Sequence, residues 1–382
     1  MDVVEEHKAS SGGTWDTLCD LPEGVLRGVY AHGFEQPSPI QSEAIPHMVR
    51  GVDVIGQAQS GTGKTGAFSV GLLARLAENP CRRALVIAPT RELAVQSASV
   101  ISSIGKYVCP DVHVLVGGTP VQQDISALRK DPQVVVGTPG RVYDMISRGV
   151  MVRGIDVVVI DEADELLSAG FADQLYDIFQ GVPKCAQVAL FSATMSDEVL
   201  QIAHQFMNDP TQISVKADQL TLEGISQYYV AVEGAHKLDV LKDLYATLSL
   251  SQCIIYCNSV ARVERLYEEM RDDDFPVCRI HGNMDRDERE TSYAAFREGR
   301  NRVLISSNLT ARGIDVQQVS TVINFDFPTD TATYLHRIGR SGRWGRKGSA
   351  INFITSRDTS LMREVEKFYS TTVSELPASF VA

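Results

Sequence analysis

The sequence predicts two α/β domains, each built on a mostly parallel sheet with helices on both faces. Short β-branched apolar runs alternate with longer amphipathic or polar stretches along the whole chain. Continuous apolar strands separated by helical stretches are typical of a parallel sheet that is covered on both faces. The runs are too numerous for one sheet, and a length of 382 residues suits two domains of ordinary size.

The predicted strands fall into two groups. The first group comprises Val52–Ile55, Ala84–Ile87, Val112–Val116, Val134–Val136, Val157–Ile160 and Val188–Phe191. The second group comprises Cys253–Tyr256, Val277–Ile280, Val303–Ser306, Thr321–Phe325 and Ala350–Ile354. Because the polar stretch Val215–Glu223 separates them, we predict domains at 14–218 and 225–382. A linker at 219–224 and a flexible N-terminus at 1–13 complete the division.

Composition narrows the class of protein. No apolar run reaches the roughly 18 residues that a membrane span needs, and the start lacks a signal-peptide pattern. The net charge of −12 argues against a non-specific nucleic-acid binder but leaves room for a local basic groove. The 7 cysteines show no C-x-x-C spacing, so we expect neither a disulfide nor a zinc site, and a reducing compartment.

A glycine-rich segment follows the first predicted strand. It reads Ala-Gln-Ser-Gly-Thr-Gly-Lys-Thr at positions 58–65, and a helical stretch follows it. Backbone N–H groups of such a P-loop cradle phosphates at the start of a helix. Lys64 would then reach the β- and γ-phosphates and Thr65 would bind Mg²⁺. The alternative is a flexible glycine turn, which the flanking strand and helix disfavour.

An acidic segment, Asp161-Glu162-Ala163-Asp164, directly follows another predicted strand. Beside a P-loop, Asp161 would hold Mg²⁺ through water and Glu162 would polarise the attacking water. The alternative is an acidic helix start, which the helix dipole favours in any case. The upstream P-loop makes the catalytic interpretation the better one.

An arginine cluster lies in the second half of the chain. Arg337, Arg340 and Arg343 are spaced by three, which in a helix would place their guanidinium groups on one face. A solvated basic face is the alternative, but the interleaved glycines would weaken an exposed helix. Extra positive charge at a γ-phosphate promotes hydrolysis. We therefore expect Arg340 to complete a nucleotide site.

Polar or glycine-rich segments follow nearly every strand of the first group. Besides the P-loop and the acidic segment, they are 89–92, 117–118, 138–141 and 192–194. Taken singly, the glycine-containing segments are ordinary turns. Because ligands bind at the carboxyl ends of strands in an open parallel sheet, these segments should meet along one edge.

The whole series of motifs resembles the DEAD-box RNA helicases. The matching segments are Phe34…Gln41, 58–65, 89–94, 117–118, 138–141, 161–164, 192–194, 255–259, 281–282, 311–315 and 336–343. The resemblance covers the chain from about residue 14 to its end and implies two RecA-like domains. It also implies an ATP phosphohydrolase that uses Mg²⁺ and couples domain closure to local unwinding of duplex RNA.

The resemblance assigns roles to individual residues. Phe34 and Gln41 would read adenine, and the phosphates would meet Ser60, Gly61, Thr62, Gly63, Lys64 and Thr65. Gly313 and Asp315 would approach the nucleotide, with Arg340 and Arg343 as arginine fingers. Asp164, Ser192, Thr194 and His336 would couple hydrolysis to closure. RNA would be held, with little sequence specificity, by Pro89, Thr90, Arg91, Gly118, Thr138, Gly140, Arg141, Ser259, Gly282, Arg289 and Ser307.

Within the family the sequence most resembles the translation-initiation members, and the exon-junction members are the alternative. We therefore expect a cytoplasmic monomer, with a nuclear location as the alternative, that works with a scaffold protein. Three positions depart from the family pattern: Arg286 in place of glutamine, Asn308 in place of aspartate and Ser307 in place of threonine. An ATP-gated RNA clamp has the same motifs, whereas a DNA translocase would need a strand-separating insertion that the sequence lacks.

Overall fold

The protein consists of parallel sheets flanked by helices, as the alternating apolar runs predict. The structure, a computed structural model, describes residues 13–58, 61–150, 154–215, 225–247, 252–307, 319–341 and 348–377, with backbone alone at positions 246, 247 and 286. It divides into two compact units with the principal boundary after Val215. The predicted linker 219–224 lies outside the described residues.

The first unit contains a sheet of parallel strands. They are β1 (Val54–Gln57), β2 (Arg83–Ile87), β3 (Val112–Leu115), β4 (Val134–Gly137), β5 (Ile155–Ile160), β6 (Gln187–Ser192) and β7 (Thr211–Ser214). Their order in the sheet is β3-β4-β2-β5-β6-β1-β7. The crossovers between parallel neighbours are made by helices, as parallel pairing requires.

The helices of the first unit cover both faces of its sheet. They are α1 (Trp15–Leu18), α2 (Glu23–Ala31), α3 (Pro39–Val49), α4 (Lys64–Glu78), α5 (Arg91–Ile104), α6 (Val121–Leu128), α7 (Pro139–Ser147), α8 (Ala163–Ser168), α9 (Ala172–Gln180) and α10 (Asp197–Phe206). One core packs α2 to α5 on one face, and a second packs α7 to α10 on the other. All residues of β4 and β6 are therefore buried, which explains the apolar runs Val134–Val136 and Val188–Phe191 within them.

The second unit repeats this architecture. Its strands are β8 (Ile225–Ala231), β9 (Cys253–Cys257), β10 (Val277–Ile280), β11 (Val303–Ser307), β12 (Thr321–Asn324), β13 (Gly348–Ile354) and β14 (Ser374–Glu375), in the order β10-β11-β9-β12-β13-β8-β14. Its helices are α11 (Lys237–Thr247), α12 (Val260–Asp272), α13 (Arg286–Arg297), α14 (Thr331–Ile338) and α15 (Thr359–Phe368). No helix in the described ranges is long and apolar enough to cross a membrane.

Each strand predicted from an apolar run is present, and the structure adds β7, β8 and β14. The added strands lie at or next to the ends of their sheets. Only Ile213 of β7 is buried, and both residues of β14 are exposed. Strands at these positions lack the continuous apolar run of a central strand, which is why the sequence pattern does not reveal them.

The close contact between α2 and the end of α5 depends on one glycine. A Cβ atom on Gly28 would lie 1.7 Å from the carbonyl oxygen of Ile104. Because the obstacle is backbone, no side-chain rotation can relieve the clash. The position therefore requires glycine for packing.

We predict that Gly28→Ala lowers the free energy of unfolding of the first unit by about 3 kcal/mol or prevents its folding. Overpacking of a core costs about 1–3 kcal/mol and occasionally more. Calorimetric unfolding of the full chain measures the change. Gly234→Ala is the control, because a Cβ atom there meets nothing within 4 Å. An unfolding temperature of Gly28→Ala equal to that of the control would contradict the packing argument.

Candidate functional site

The glycine-rich segment forms the start of helix α4. Lys64 is the first residue of that helix, and Gly63 caps it with φ 101° in the left-handed region. A Cβ atom on Gly63 would lie 2.7 Å from Nε2 of Gln41 and 2.8 Å from Oγ of Ser38, so only glycine fits. The free N–H groups of a helix start attract anions. Ser60 lies outside the described residues.

Gln41 and Phe34 lie beside this loop. The backbone N–H of Ser38 donates to Oε1 of Gln41 at 2.8 Å, and Nε2 of Gln41 donates to the carbonyl oxygen of Gly63 at 3.1 Å. The ring of Phe34 stacks on Trp15 with centroids 6.0 Å apart. The Gln41 amide is thus held in one orientation and keeps one N–H and one lone pair for a ligand.

Lys64 and Glu162 form a buried ion pair. Nζ of Lys64 donates to Oε2 of Glu162 at 3.0 Å and to the carbonyl oxygen of Ala58 at 2.9 Å. The two charged side chains are only 4% and 9% exposed. Glu162 has a left-handed backbone with φ 50°, uncommon for a residue with a side chain, and residues held in such conformations cluster at active sites.

Asp161 adds a second carboxylate at the end of β5. Its side chain is buried, and burial raises the pKa of this carboxyl group. The neighbouring charge of Glu162 raises the pKa further, whereas Lys64 lowers it. A cation at this carboxylate would favour its charged form.

Asp161 and Thr65 are the predicted Mg²⁺ residues. Thr65 lies in the first turn of α4, and Asp161 supplies the hard carboxylate oxygen that Mg²⁺ prefers. The described ranges hold no group of three or more His, Cys, Asp or Glu side chains that could bind a metal. Mg²⁺ usually takes one or two carboxylates and completes its shell with phosphate oxygens and water, which fits this pair.

Asp164 joins the start of α8 to the end of β6. Its Oδ2 accepts hydrogen bonds from the backbone N–H and the hydroxyl of Thr194, at 3.1 and 2.7 Å. The backbone N–H of Asp164 donates to Oγ of Ser192 at 3.2 Å, and that hydroxyl donates to the carbonyl oxygen of Thr194 at 2.8 Å. The structure thus brings three of the four predicted coupling residues together. His336 lies in the second unit, buried in α14.

A second group of loops follows β2, β3 and β4, which are adjacent in the sheet. The hydroxyl of Thr90 caps α5, and Thr138 is the N-cap residue of α7 without a side-chain capping bond. Nη1 of Arg91 donates to the carbonyl oxygen of Gly117 at 3.0 Å. This edge carries the first-unit residues predicted to hold RNA: Pro89, Thr90, Arg91, Gly118, Thr138, Gly140 and Arg141. Gly118 and Gly140 are exposed, whereas the side chain of Arg141 is only 9% exposed.

The corresponding loops of the second unit follow β9, β10 and β11, which are also adjacent. Ser259 caps α12 by accepting from the backbone N–H of Arg262 at 3.2 Å, and Gly282 is exposed just after β10. Ser307 ends β11 as a buried residue, and Arg289 lies in α13. The predicted residues Gly313, Asp315 and Arg343 lie outside the described ranges, as do Asn308 and the side chain of Arg286.

The condition for a shared helical face is not met for Arg337 and Arg340, because α14 ends at Ile338. The guanidinium of Arg337 is fully buried and donates to Oδ1 of Asn324 at 3.0 Å and to the carbonyl oxygen of Asp326 at 2.7 Å. Burial lowers the pKa of Arg337 to about 10. Nε of Arg340 is buried with no hydrogen-bond partner in the described residues.

Two polar residues at these edges were not predicted. Asn258 accepts a hydrogen bond from Nη2 of Arg337 at 2.5 Å. It lies within the motif 255–259, and membership of that motif could have identified it. Asp124, on α6, accepts hydrogen bonds beneath the loop that follows β3. No pattern in the sequence distinguishes Asp124 from an ordinary acidic helix residue.

Comparison with known proteins agrees with this arrangement. Residues 38–202 match the DEAD/DEAH box helicase family model, and residues 236–345 match the helicase conserved C-terminal domain model. The chain is 52% identical over 377 residues to the ATP-dependent RNA helicase eIF4A of Pyricularia oryzae, covering 98% of this chain and 95% of the relative. It is 52% identical over 371 residues to the probable eukaryotic initiation factor 4A of Trypanosoma brucei brucei, covering 95% and 92%.

Among solved structures, the chain is similar to Dbp5 of Saccharomyces cerevisiae bound to RNA and ADP BeF3. The TM-score is 0.85 at 35% sequence identity, and the match covers 95% of each chain. Two parallel sheets with flanking helices therefore agree with a solved relative over nearly the whole length.

Proposed function

Because the chain belongs to the DEAD/DEAH box helicase family, we propose that it is an ATP-dependent RNA helicase of translation initiation. The proposal covers RNA-stimulated ATP hydrolysis coupled to local unwinding of RNA duplexes. Its support is the identity of about half of all positions, over 98% and 95% of the chain, to relatives named as initiation-factor helicases. A cytoplasmic location follows from that role.

The observation that carries the proposed activity is the buried pair of Lys64 and Glu162. A buried lysine that loses its partner is costly, so a phosphate that enters must replace Glu162 as the partner of Lys64. This exchange frees the Glu162 carboxylate to accept a proton from the water that attacks the γ-phosphorus. The bond to the β-γ bridging oxygen then breaks, and ADP and phosphate leave. Nucleotide binding thereby frees Glu162 to act as the general base for hydrolysis.

ATP is the proposed nucleotide because of Gln41 and Phe34. The remaining N–H and lone pair of Gln41 match the acceptor at N7 and the donor at N6 of adenine, and the Phe34 ring offers a stacking surface. Thr65 and Asp161 would hold Mg²⁺, which supplies charge neutralisation at the β- and γ-phosphates when it is bound.

RNA is the proposed partner of the loops that follow β2, β3 and β4 and of those that follow β9, β10 and β11. Their exposed glycines and helix caps present backbone N–H groups and hydroxyls, which suit phosphates and 2′-hydroxyls better than base edges. We expect recognition with little sequence specificity. Asp164, Ser192, Thr194 and His336 would link nucleotide state to RNA affinity.

Arg340 is proposed to supply positive charge at the γ-phosphate, together with Arg343. The support is its Nε, which lacks a hydrogen-bond partner in the described residues although it is buried. Arg337 cannot share this role, because its guanidinium donates to Asn258, Asn324 and the carbonyl oxygen of Asp326.

A scaffold protein and a monomeric state complete the proposal. The net charge of −12 opposes RNA binding at long range. The isolated chain should therefore bind RNA weakly. Its RNA-stimulated activity should rise when a scaffold protein binds both the chain and the RNA.

We predict that Glu162→Gln lowers ATP turnover at least about 100-fold, because a general base contributes about 10²–10⁴-fold. Steady-state phosphate release measures it, and ATP affinity should persist. Lys64→Ala should also abolish turnover, but it leaves buried carboxylates unpaired at a cost of about 3–5 kcal/mol, so Glu162→Gln is the cleaner variant. Glu78→Gln, which removes a half-exposed carboxylate from the other end of α4, is the control. Turnover of Glu162→Gln near that of the control would refute the assignment.

Arg340→Ala should lower RNA-stimulated turnover about 10³-fold or more, the range found for arginine fingers. Equilibrium binding of a fluorescent ATP analogue should stay close to that of the unchanged protein. Arg363→Ala, which removes an exposed arginine of α15, should leave both quantities unchanged. The proposal fails if Arg340→Ala hydrolyses ATP at the unchanged RNA-stimulated rate.

The scaffold proposal predicts weak RNA binding by the isolated protein near 150 mM salt. Fluorescence anisotropy with a labelled single-stranded RNA measures this affinity, with and without ATP and a candidate scaffold protein. We expect the ATPase rate at limiting RNA to rise when the scaffold is added. Tight RNA binding by the isolated protein without nucleotide would show that no scaffold is needed.

A further inference from the structure

Asp124 is a buried carboxylate of the first unit that the mechanism above does not use. It lies in the first turn of α6 and is 2% exposed. Its Oδ2 accepts a hydrogen bond from the hydroxyl of Thr119 at 3.1 Å and lies 3.4 Å from Nε of Arg141. Nε2 of His113 lies 3.2 Å from its Oδ1. One carboxylate thus contacts three separate parts of the chain.

These three contacts come from the parts of the first unit that adjoin the proposed RNA edge. His113 is in β3, Thr119 directly follows the exposed Gly117 and Gly118, and Arg141 is in the first turn of α7 just after the exposed Gly140. Since β3 and β4 are neighbours, the loops after them lie side by side. Asp124 lies beneath both loops.

Arg141 strengthens the connection between the two loops. Its Nη2 donates to the carbonyl oxygen of Thr119 at 2.5 Å, and its Nε donates to that of Val116 at 3.3 Å. The hydroxyl of Thr119 also lies 2.9 Å from the carbonyl oxygen of Val116, so its single hydrogen is shared between this oxygen and Asp124. Nε and Nη2 of Arg141 therefore donate to the loop after β3, and the guanidinium lies beside Asp124.

Glycine-rich loops are flexible, and fixing their backbone costs conformational entropy. A loop that is already held in its bound conformation does not pay this cost when the ligand arrives. Asp124 is the buried carboxylate beside the Arg141 guanidinium, whereas Asp144 lies farther away and is more exposed. A buried arginine that loses such a partner is costly. The carboxylate of Asp124 therefore holds the loops after β3 and β4 in a fixed position relative to each other.

We propose that Asp124 is a positioning residue for RNA. It fixes the loop 117–119 and the start of α7 in one arrangement, so that their exposed backbone is presented together to the sugar-phosphate chain. Arg141 acts in the same way, through the loop rather than through direct contact with RNA. This inference rests on the proposed RNA-dependent activity. It assigns Asp124 and Arg141 a role in RNA binding although neither is proposed to touch RNA.

The test is ATPase kinetics of the full chain at varied RNA and varied ATP. For Asp124→Asn, which keeps the shape and removes the charge, we expect the RNA concentration at half-maximal rate to rise about 10-fold. The KM for ATP and the rate at saturating RNA should change less than about twofold. Asp144→Asn is the matched control, because Asp144 lies 3.8 Å from the other side of Arg141 and does not touch the loop.

A second pair of variants keeps the test decisive if Asp124→Asn unfolds. Thr119→Val removes the hydroxyl that Asp124 accepts, and Thr119→Ser keeps it. We expect the RNA concentration at half-saturation to rise for Thr119→Val and to stay unchanged for Thr119→Ser, which needs no Asp124 variant. Where Asp124→Asn folds, the double variant Thr119→Val with Asp124→Asn should weaken RNA binding by less than the sum of the two single effects. Additive effects, or a KM for ATP that rises in parallel, would overturn the positioning role.

The outcomes also separate this inference from the proposed function. If RNA does not stimulate the unchanged protein, the proposed function fails. If RNA stimulates the unchanged protein and Asp124→Asn and Thr119→Val have the same RNA half-saturation as Asp144→Asn, the positioning role fails while the proposed function stands.

Discussion

The carboxyl ends of parallel strands meet at one edge of their sheet, and this geometry sets where polar residues lie in both units. In the first unit the adjacent strands β5, β6 and β1 end in the acidic segment, the segment 192–194 and the P-loop. The adjacent strands β3, β4 and β2 end in the loops proposed for RNA. Because the strands are buried on both faces, their own residues must be apolar, and polar chemistry is confined to the segments that follow them.

Buried charges at these edges fall into two kinds. In the first kind, a ligand can replace the partners of the charged group. Lys64 is paired with Glu162 and one carbonyl oxygen, and phosphate oxygens can replace both. The second kind is satisfied permanently, as Arg337 is by amide and carbonyl oxygens and Arg141 is by Asp124 and the loop beside it. A charge with an exchangeable partner suits binding, whereas a charge with fixed partners suits positioning. The distinction depends on the partners and not on the residue type.

The central strands and the composition of the catalytic edge could be predicted from the sequence for a physical reason. A strand buried on both faces must be continuously apolar, so the runs that became β2, β4, β5 and β6 were visible. The edge strand β7 buries Ile213 alone and gives no such signal. The spacing of Arg337 and Arg340 suggested one helical face, but the helix ends between them. The direction of a guanidinium depends on tertiary partners such as Asn258, which lies 79 residues from Arg337 in sequence.

The register of the first sheet limits how RNA can influence hydrolysis. Ile87 at the end of β2 is paired with Ile160 at the end of β5, and the backbone N–H of Asp161 donates to the carbonyl oxygen of Ile87 at 2.9 Å. The loop that carries Thr90 and the segment that carries Glu162 are therefore fixed to adjacent, hydrogen-bonded strands. RNA bound at one loop could move that loop, but the ends of β2 and β5 shift relative to each other only if buried ladder bonds break. Within this sheet, an effect of RNA on hydrolysis is therefore expected to pass through the loops themselves, where Asp164, Ser192 and Thr194 are proposed to link nucleotide state to RNA affinity. Arg340 is proposed to add to this effect from the second unit.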